Sequence, residues 1–346
     1  MAENPYAWDY DYKKHYFEAF EKFEKEGDGN DSIGRFLAYK STGDAFSTEP
    51  ECIGSSKDML SDALSLPDSD GDAWEKARGE DKLEKGSMSL LIGYDAMNSF
   101  ATTFNCSLHV LYPDDFNDYR IKRKEKDPCK RCASWREGLA FFEEHAQRPP
   151  RAKGTDDLWK QLEWFAKLAH TIGNFTFIPY IKPSKGTTFN SGRGYYGLPH
   201  VGQSGQTGQV YDYWDLSLEW LKKLWGSYAV EEIPIEFEEY VELARLEFYC
   251  VGNKAVEKFL DEARESTSPA SVIEEYKELR EEAEEGGCSV ESFWTGHKLD
   301  DPDSYLPRDE DSSHQIAKFL NAVNMRIEAR GRLLVALHTL HENKRR

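Results

Sequence analysis

LAHTIGNFTFIPYIKPSKGTTFNSGRG, residues 168–194, runs from the close of a helical pattern into a glycine-rich stretch. Upstream, Leu158, Leu162, Phe165 and Ala169 repeat at helical spacing, and Thr155 or Asp156 is placed to cap that helix. Gly173 then predicts a helix stop in the left-handed conformation, which a residue without Cβ enters freely. The segment FTFIPY, residues 175–180, is short, aromatic and β-branched, and Pro179 marks an edge strand or a strand end. Read this way the stretch is a structural corner. Asn174 bonds local backbone, Thr176 suits the strand, and Arg193 between glycines reaches a carboxylate such as Asp212 or Asp215, or a phosphate from outside. The competing reading is a catalytic turn, because His170, Asn174, Asn190 and Arg193 crowd around one apolar run.

Helical signals dominate away from this corner. Residues 11–26 carry Tyr16, Phe20 and Phe23 on one side before GDGND interrupts them. Ser134 with Glu137 three residues later forms a capping-box pair for a helix reaching His145. Leu218, Leu221 and Trp225 share a face of the segment opened by Asp212 or Asp215. Further helices fit 235–250, 253–265 and 270–285, the last an acidic, solvated face ended by glycine. Residues 312–342 predict one helix of about 45 Å, with Ile316, Leu320, Val323, Ile327 and Leu334 on its apolar side. The expected fold is mainly α with a few short strands, an α+β chain. It divides into a mixed, loop-rich region over 1–105 and a mainly helical core over 106–346.

Composition narrows the function classes. A net charge of −19 makes the chain self-repelling and unsuited to general coating of nucleic acid or an anionic membrane. Nine tryptophans supply large buried rings and argue against disorder. No apolar run approaches the roughly 20 residues of a membrane span, and no secretory signal opens the chain. Six cysteines in 346 residues do not make a disulfide framework. The expectation is therefore a cytoplasmic protein whose thiols are reduced or hold metal.

The spacing of those cysteines carries the sharpest local signal. Cys106 and His109 form C-x2-H, Cys129 and Cys132 form C-x2-C, and nineteen residues separate the pairs. A zinc ribbon needs two such knuckles, and a Cys3His set suits tetrahedral zinc. Four protein ligands leave no open position for water, so zinc here would be structural. The alternative is that Cys106 and His109 are core groups of a strand, where residues three apart face opposite ways.

Between the knuckles the charge reverses. From Tyr119 to Arg136 there are eight Lys or Arg against two acids, with Arg120, Lys122, Arg123 and Lys124 at the centre. Such an island suits phosphate on a nucleic acid. A contact with acidic helices of the same or another chain, or a solvated loop, is the favoured reading, since no ladder of aromatics accompanies it.

Two family resemblances attach to the corner. Its IGNFTFI run resembles a segment of HNH-type nucleases, in which a histidine activates water and a divalent metal stabilises the leaving oxygen. That resemblance implies Asn174 and Asn190 as matching asparagines and His109 as the base. The sequence departs from the pattern, because Leu108 stands where an acid precedes the histidine and one extra residue precedes Pro113. More broadly, TIGN (171–174), a strand ending at Pro179, NSGRG (190–194) and YDYWDLSLEWLKKLW (211–225) together resemble a family of bacterial proteins of unknown function. NMRIEARG (324–331) extends that resemblance. It implies a shared fold and no mechanism.

Other motifs fail on single residues. After Asp68, Asp70 and Asp72, Ala73 stands where a calcium loop requires glycine. No phosphate-cradling glycine motif opens a helix. His338 and His341 suit the cation-friendly end of the last helix. The functional expectation is a non-catalytic binding or scaffold protein that engages another protein or a second copy of itself. A nucleic acid held by 119–136 and an HNH-like nuclease are the alternatives.

Overall fold

The computed structural model describes residues 93–97, 151–169, 171–178, 236–286 and 313–345, with positions 104, 107, 108, 110–116, 141, 218, 219, 221, 222 and 225. These residues are mainly helical. β1 (Gly93–Ala96) is followed by α1 (Asp156–Leu168), a 3-10 turn (Ile172–Asn174), β2 (Phe175–Ile178) and α2 (Phe237–Leu243). A second 3-10 turn (Glu247–Tyr249), α3 (Asn253–Glu265), α4 (Pro269–Glu285) and α5 (Ser313–Arg345) complete the order. The two strands pair antiparallel, Gly93 opposite Ile178 and Ala96 opposite Phe175. No helix among the described residues is long and apolar enough to cross a membrane.

Local chemistry accounts for most boundaries. The α1 stripe is as expected, with Leu158, Leu162 and Phe165 fully buried. Thr155 is the residue before the helix, but its hydroxyl donates to the Ala152 carbonyl at 2.7 Å and does not cap. β2 stops at Ile178, one residue before Pro179. α4 begins with Pro269, which has no N–H to lose in a first turn, and the Ser268 side chain accepts from Ser271 N at 3.3 Å. Positions 218, 219, 221 and 222 are helical, and the half-buried Trp225 stacks on Tyr240 at 5.1 Å between ring centroids.

The helix expected over 235–250 is broken. Arg245 takes φ 53, and Leu246 N returns to Val241 O at 2.9 Å while Arg245 N bonds Glu242 O at 3.1 Å. This pair of bonds is a Schellman stop with arginine where glycine is usual. Hydrophobic periodicity continues across the break, so the pattern alone gives no warning of it. Ser107, Leu108, Val110 and Leu111 are helical, while Cys106 and His109, for which a strand was the alternative, lie outside the described residues.

α5 is the axis of the fold. At 1.5 Å per residue its 33 residues span about 50 Å. α1, α3, α4 and the Ile172–Asn174 turn all pack on it. Every residue from Ala322 to Leu334 is buried, so the helix is enclosed on all sides there. An enclosed helix is ordinarily apolar all round. This one instead carries Asn324, Arg326, Glu328, Arg330 and Arg332 into the core. Buried charge is tolerated only when hydrogen-bonded or paired, which makes the partners of these side chains the decisive feature of the site.

Candidate functional site

The corner quoted at the outset sits directly on the enclosed part of α5. A Cβ at Gly173 would lie 2.9 Å from Gly331 N and 3.0 Å from Gly331 Cα, and would also strike the Ile327 carbonyl oxygen. Two glycines therefore let a 3-10 turn and a helix meet main chain to main chain. The left-handed stop expected at Gly173 is absent, since among the described glycines only Gly154 has positive φ. Glycine is needed here for close approach, not for a chain reversal.

Asn174 is buried to 0% exposure, and all its described bonds are to the main chain. Its side-chain amide donates to the Ala169 carbonyl at 2.8 Å. Its N–H reaches Thr171 O at 3.0 Å, and its own carbonyl accepts Met97 N at 2.6 Å. Thr171 adds a hydroxyl bond to Leu168 O at 2.8 Å. The turn is thus closed by its own polar groups, which satisfies a backbone that water cannot reach.

Arg330 locks this corner to the α2 stop. It has no exposed surface, and its guanidinium donates to five main-chain carbonyls among the described residues. Phe175 O lies at 2.6 Å, Gly173 O at 3.1 Å and Ile172 O at 3.4 Å on one side. Ala244 O at 2.8 Å and Arg245 O at 3.1 Å lie on the other. Carbonyl dipoles converging on a planar fork stabilise its charge. One turn earlier, Arg326 donates to Asn253 Oδ1 at 2.7 Å and to Val251 O at 3.0 Å, fixing the start of α3 in the same way.

Glu328 forms an ionic bridge on the same helix. It accepts from Nε and Nη2 of Arg264 at 3.0 and 2.8 Å, and from Nε and Nη2 of Arg332 at 3.0 and 2.9 Å. Burial raises its carboxyl, but the Arg264 hydrogen bonds and the Arg332 charge outweigh burial and hold it below the ordinary range. Burial pushes the Tyr240 phenol far up, with the Arg330 charge opposing it only in part. Asn324 completes the polar row by donating to the Gln161 carbonyl at 2.9 Å and its side-chain oxygen at 3.0 Å.

Of the candidate catalytic, binding and metal-ligating residues, Asn174 is the one described. His109, Asn190 and Arg193 lie outside the described residues, as do Arg120, Lys122, Arg123 and Lys124 of the basic island and Cys106, Cys129 and Cys132 of the knuckles. Among the described residues no three His, Cys, Asp or Glu side chains gather as a metal-binding group. Cys250 is disulfide-bonded, its partner cysteine lying outside the described residues. The expectation of reduced or metal-holding thiols is corrected at that position. Sequence reasoning passed over Arg326 and Arg330; their signal was two arginines four apart inside a run of buried-type residues.

An open groove between α3 and α4 is floored by Phe259 and Leu279 and rimmed by Lys258, Glu275, Glu278 and Glu282. Its lysine donates to Glu278 at 2.7 Å, and that bond raises the lysine's proton affinity. No protein-family model, curated protein or solved structure matches the chain.

Proposed function

We propose that this chain is a non-catalytic binding scaffold that engages another protein or a second copy of itself. The observation that carries the reading is Asn174, fully buried with its amide on the Ala169 carbonyl. An asparagine that orients water or metal must present its side chain to a ligand, and this one is fully buried with its amide nitrogen bound within its own corner. Gly173 and Arg330 support the same reading, since both are spent on joining chain segments. What the corner supplies is rigidity. A helix held through five carbonyls in two segments gives a fixed frame on which exposed faces can be displayed. On spacing alone, Cys106, His109, Cys129 and Cys132 are proposed to hold a structural zinc within that frame.

Plasmid nicking with magnesium or manganese, run beside sedimentation velocity, tests the reading. The expected result is no metal-dependent cleavage, together with a mass above that of one chain or a stable complex with a purified partner. Metal-dependent cleavage by the folded wild-type chain that disappears in His109→Ala would overturn it.

A further inference from the structure

The stop between α2 and α3 gathers ionisable groups that the scaffold reading leaves unused. Glu247 is 4% exposed, and neither carboxylate oxygen reaches a hydrogen bond of ordinary length and angle. Two residues earlier Arg245 is buried in the left-handed conformation, φ 53, which a side chain with Cβ adopts only at a cost. A costly backbone conformation beside an unsatisfied buried carboxylate marks a turn that is held in place by its surroundings. Those surroundings are specific. The Arg245 guanidinium lies 5.9 Å from the centroid of the Tyr276 ring on α4, and Tyr276 stacks on Phe248 at 5.7 Å. Phe248 in turn meets Phe259 of α3 at 5.0 Å. From α5, Arg330 holds the Arg245 carbonyl at 3.1 Å. From α2, Glu242 adds a second negative charge and is itself paired with Arg280 of α4 at 3.4 Å.

We propose that Glu247 is a proton-operated latch: neutral, it leaves the 245–249 turn seated between α4 and α5, and ionised, it drives that turn outward. A buried carboxylate without full hydrogen bonding is strongly disfavoured as an anion, whereas a released one is solvated. Burial raises the Glu247 carboxyl to about 7, against the lowering effects of the Arg245 charge and the Tyr276 hydroxyl, while Glu242 raises it further. The ordinary carboxyl value is 4.5, so the seated turn holds a proton that the released turn gives up as pH rises. Linkage between those two values shifts the balance toward release by about tenfold from pH 6 to pH 8. The latch stands independently of the scaffold reading, since it concerns one turn and not what the protein engages.

Hydrogen–deuterium exchange of the full chain, corrected for intrinsic rates, reads this directly. Peptides covering 244–252 are expected to lose protection by about tenfold between pH 6 and pH 8, while peptides from the centre of α5 hold theirs. Glu247→Gln is expected to abolish the pH dependence. Tyr276→Phe removes a hydroxyl that favours the anion, so it is expected to move the midpoint to higher pH, and it keeps the test open should Glu247→Gln fail to fold. Equal protection at both pH values overturns the latch, as does an unchanged loss in Glu247→Gln or an unmoved midpoint in Tyr276→Phe.

Discussion

Gly173→Ala drives a methyl group into the main chain of α5. Its Cβ would strike the Ile327 carbonyl and approach Gly331 N to 2.9 Å, and neither neighbour is the flexible end of a side chain. Relief requires the 3-10 turn to withdraw from the helix. Withdrawal stretches the Arg330 bonds to Ile172, Gly173 and Phe175, which are charge-assisted and buried. Overpacking a tight contact costs about 1–3 kcal/mol, and weakening buried charge-assisted bonds adds about 1–3 kcal/mol. The expected loss is about 2–6 kcal/mol, a large share of the roughly 5–15 kcal/mol that holds a typical domain. Urea unfolding followed by helical circular dichroism and by tryptophan fluorescence measures it. Gly154→Ala is the matched control, because Gly154 has φ 82 but open space around its Cβ, so only the backbone cost of about 1–2 kcal/mol applies. A Gly173→Ala variant as stable as wild type, or no worse than Gly154→Ala, would refute the argument that close approach is why glycine is there.

The remaining expectations concern charge and metal. Arg330→Met takes the guanidinium from five buried carbonyls, of which Ile172 O alone is shown to keep a second donor, the Phe175 N–H, and is expected to cost at least about 3 kcal/mol in urea unfolding, and Arg330→Lys should recover little of it because one ammonium cannot span both segments. Glu328 has its carboxyl lowered in the fold, so it contributes stability above about 4.5 that is lost as pH falls through the folded value; Glu328→Gln should be less stable than wild type at pH 7, with the gap closing in acid. Glu247 has the opposite sign. Its carboxyl is raised, so its cost is absent below 4.5 and fully present above about 7, and Glu247→Gln should gain up to about 3 kcal/mol at pH 8 in chemical unfolding. Metal analysis of the purified chain is expected to give one zinc per chain, lost in Cys129→Ser; a metal-free wild type ends the ribbon proposal.

The sequence was legible where side-chain periodicity or terminal chemistry decided the structure. The α1 stripe, the β2 stop before Pro179 and the apolar side of α5 all follow from local pattern. Ile316, Leu320, Val323, Ile327 and Leu334 are each buried as their spacing requires. The α2 break was hidden because Arg245 occupies a position where glycine would have announced it, and tertiary contacts with Tyr276 and Arg330 supply what the sequence lacks. Gly173 was legible as necessary but for the wrong reason, since close approach between segments more than 150 residues apart leaves no local trace. Arg326 and Arg330 were invisible for a related cause. A helical arginine reads as solvent-facing until the carbonyls that surround it are placed by the rest of the fold. For Asn174 the expected bonding to local backbone is seen in its amide, which donates to the Ala169 carbonyl.

A structural corner leaves the side chain of Asn174 unavailable to any ligand. Side-chain amide NMR of the wild-type chain, with the Asn174 resonance assigned through Asn174→Asp and manganese added stepwise, measures that availability. A buried amide held on the Ala169 carbonyl is expected to keep its intensity while exposed asparagine amides broaden. Selective broadening of the Asn174 amide at low manganese would place an ion beside it and contradict the structural role assigned to the corner.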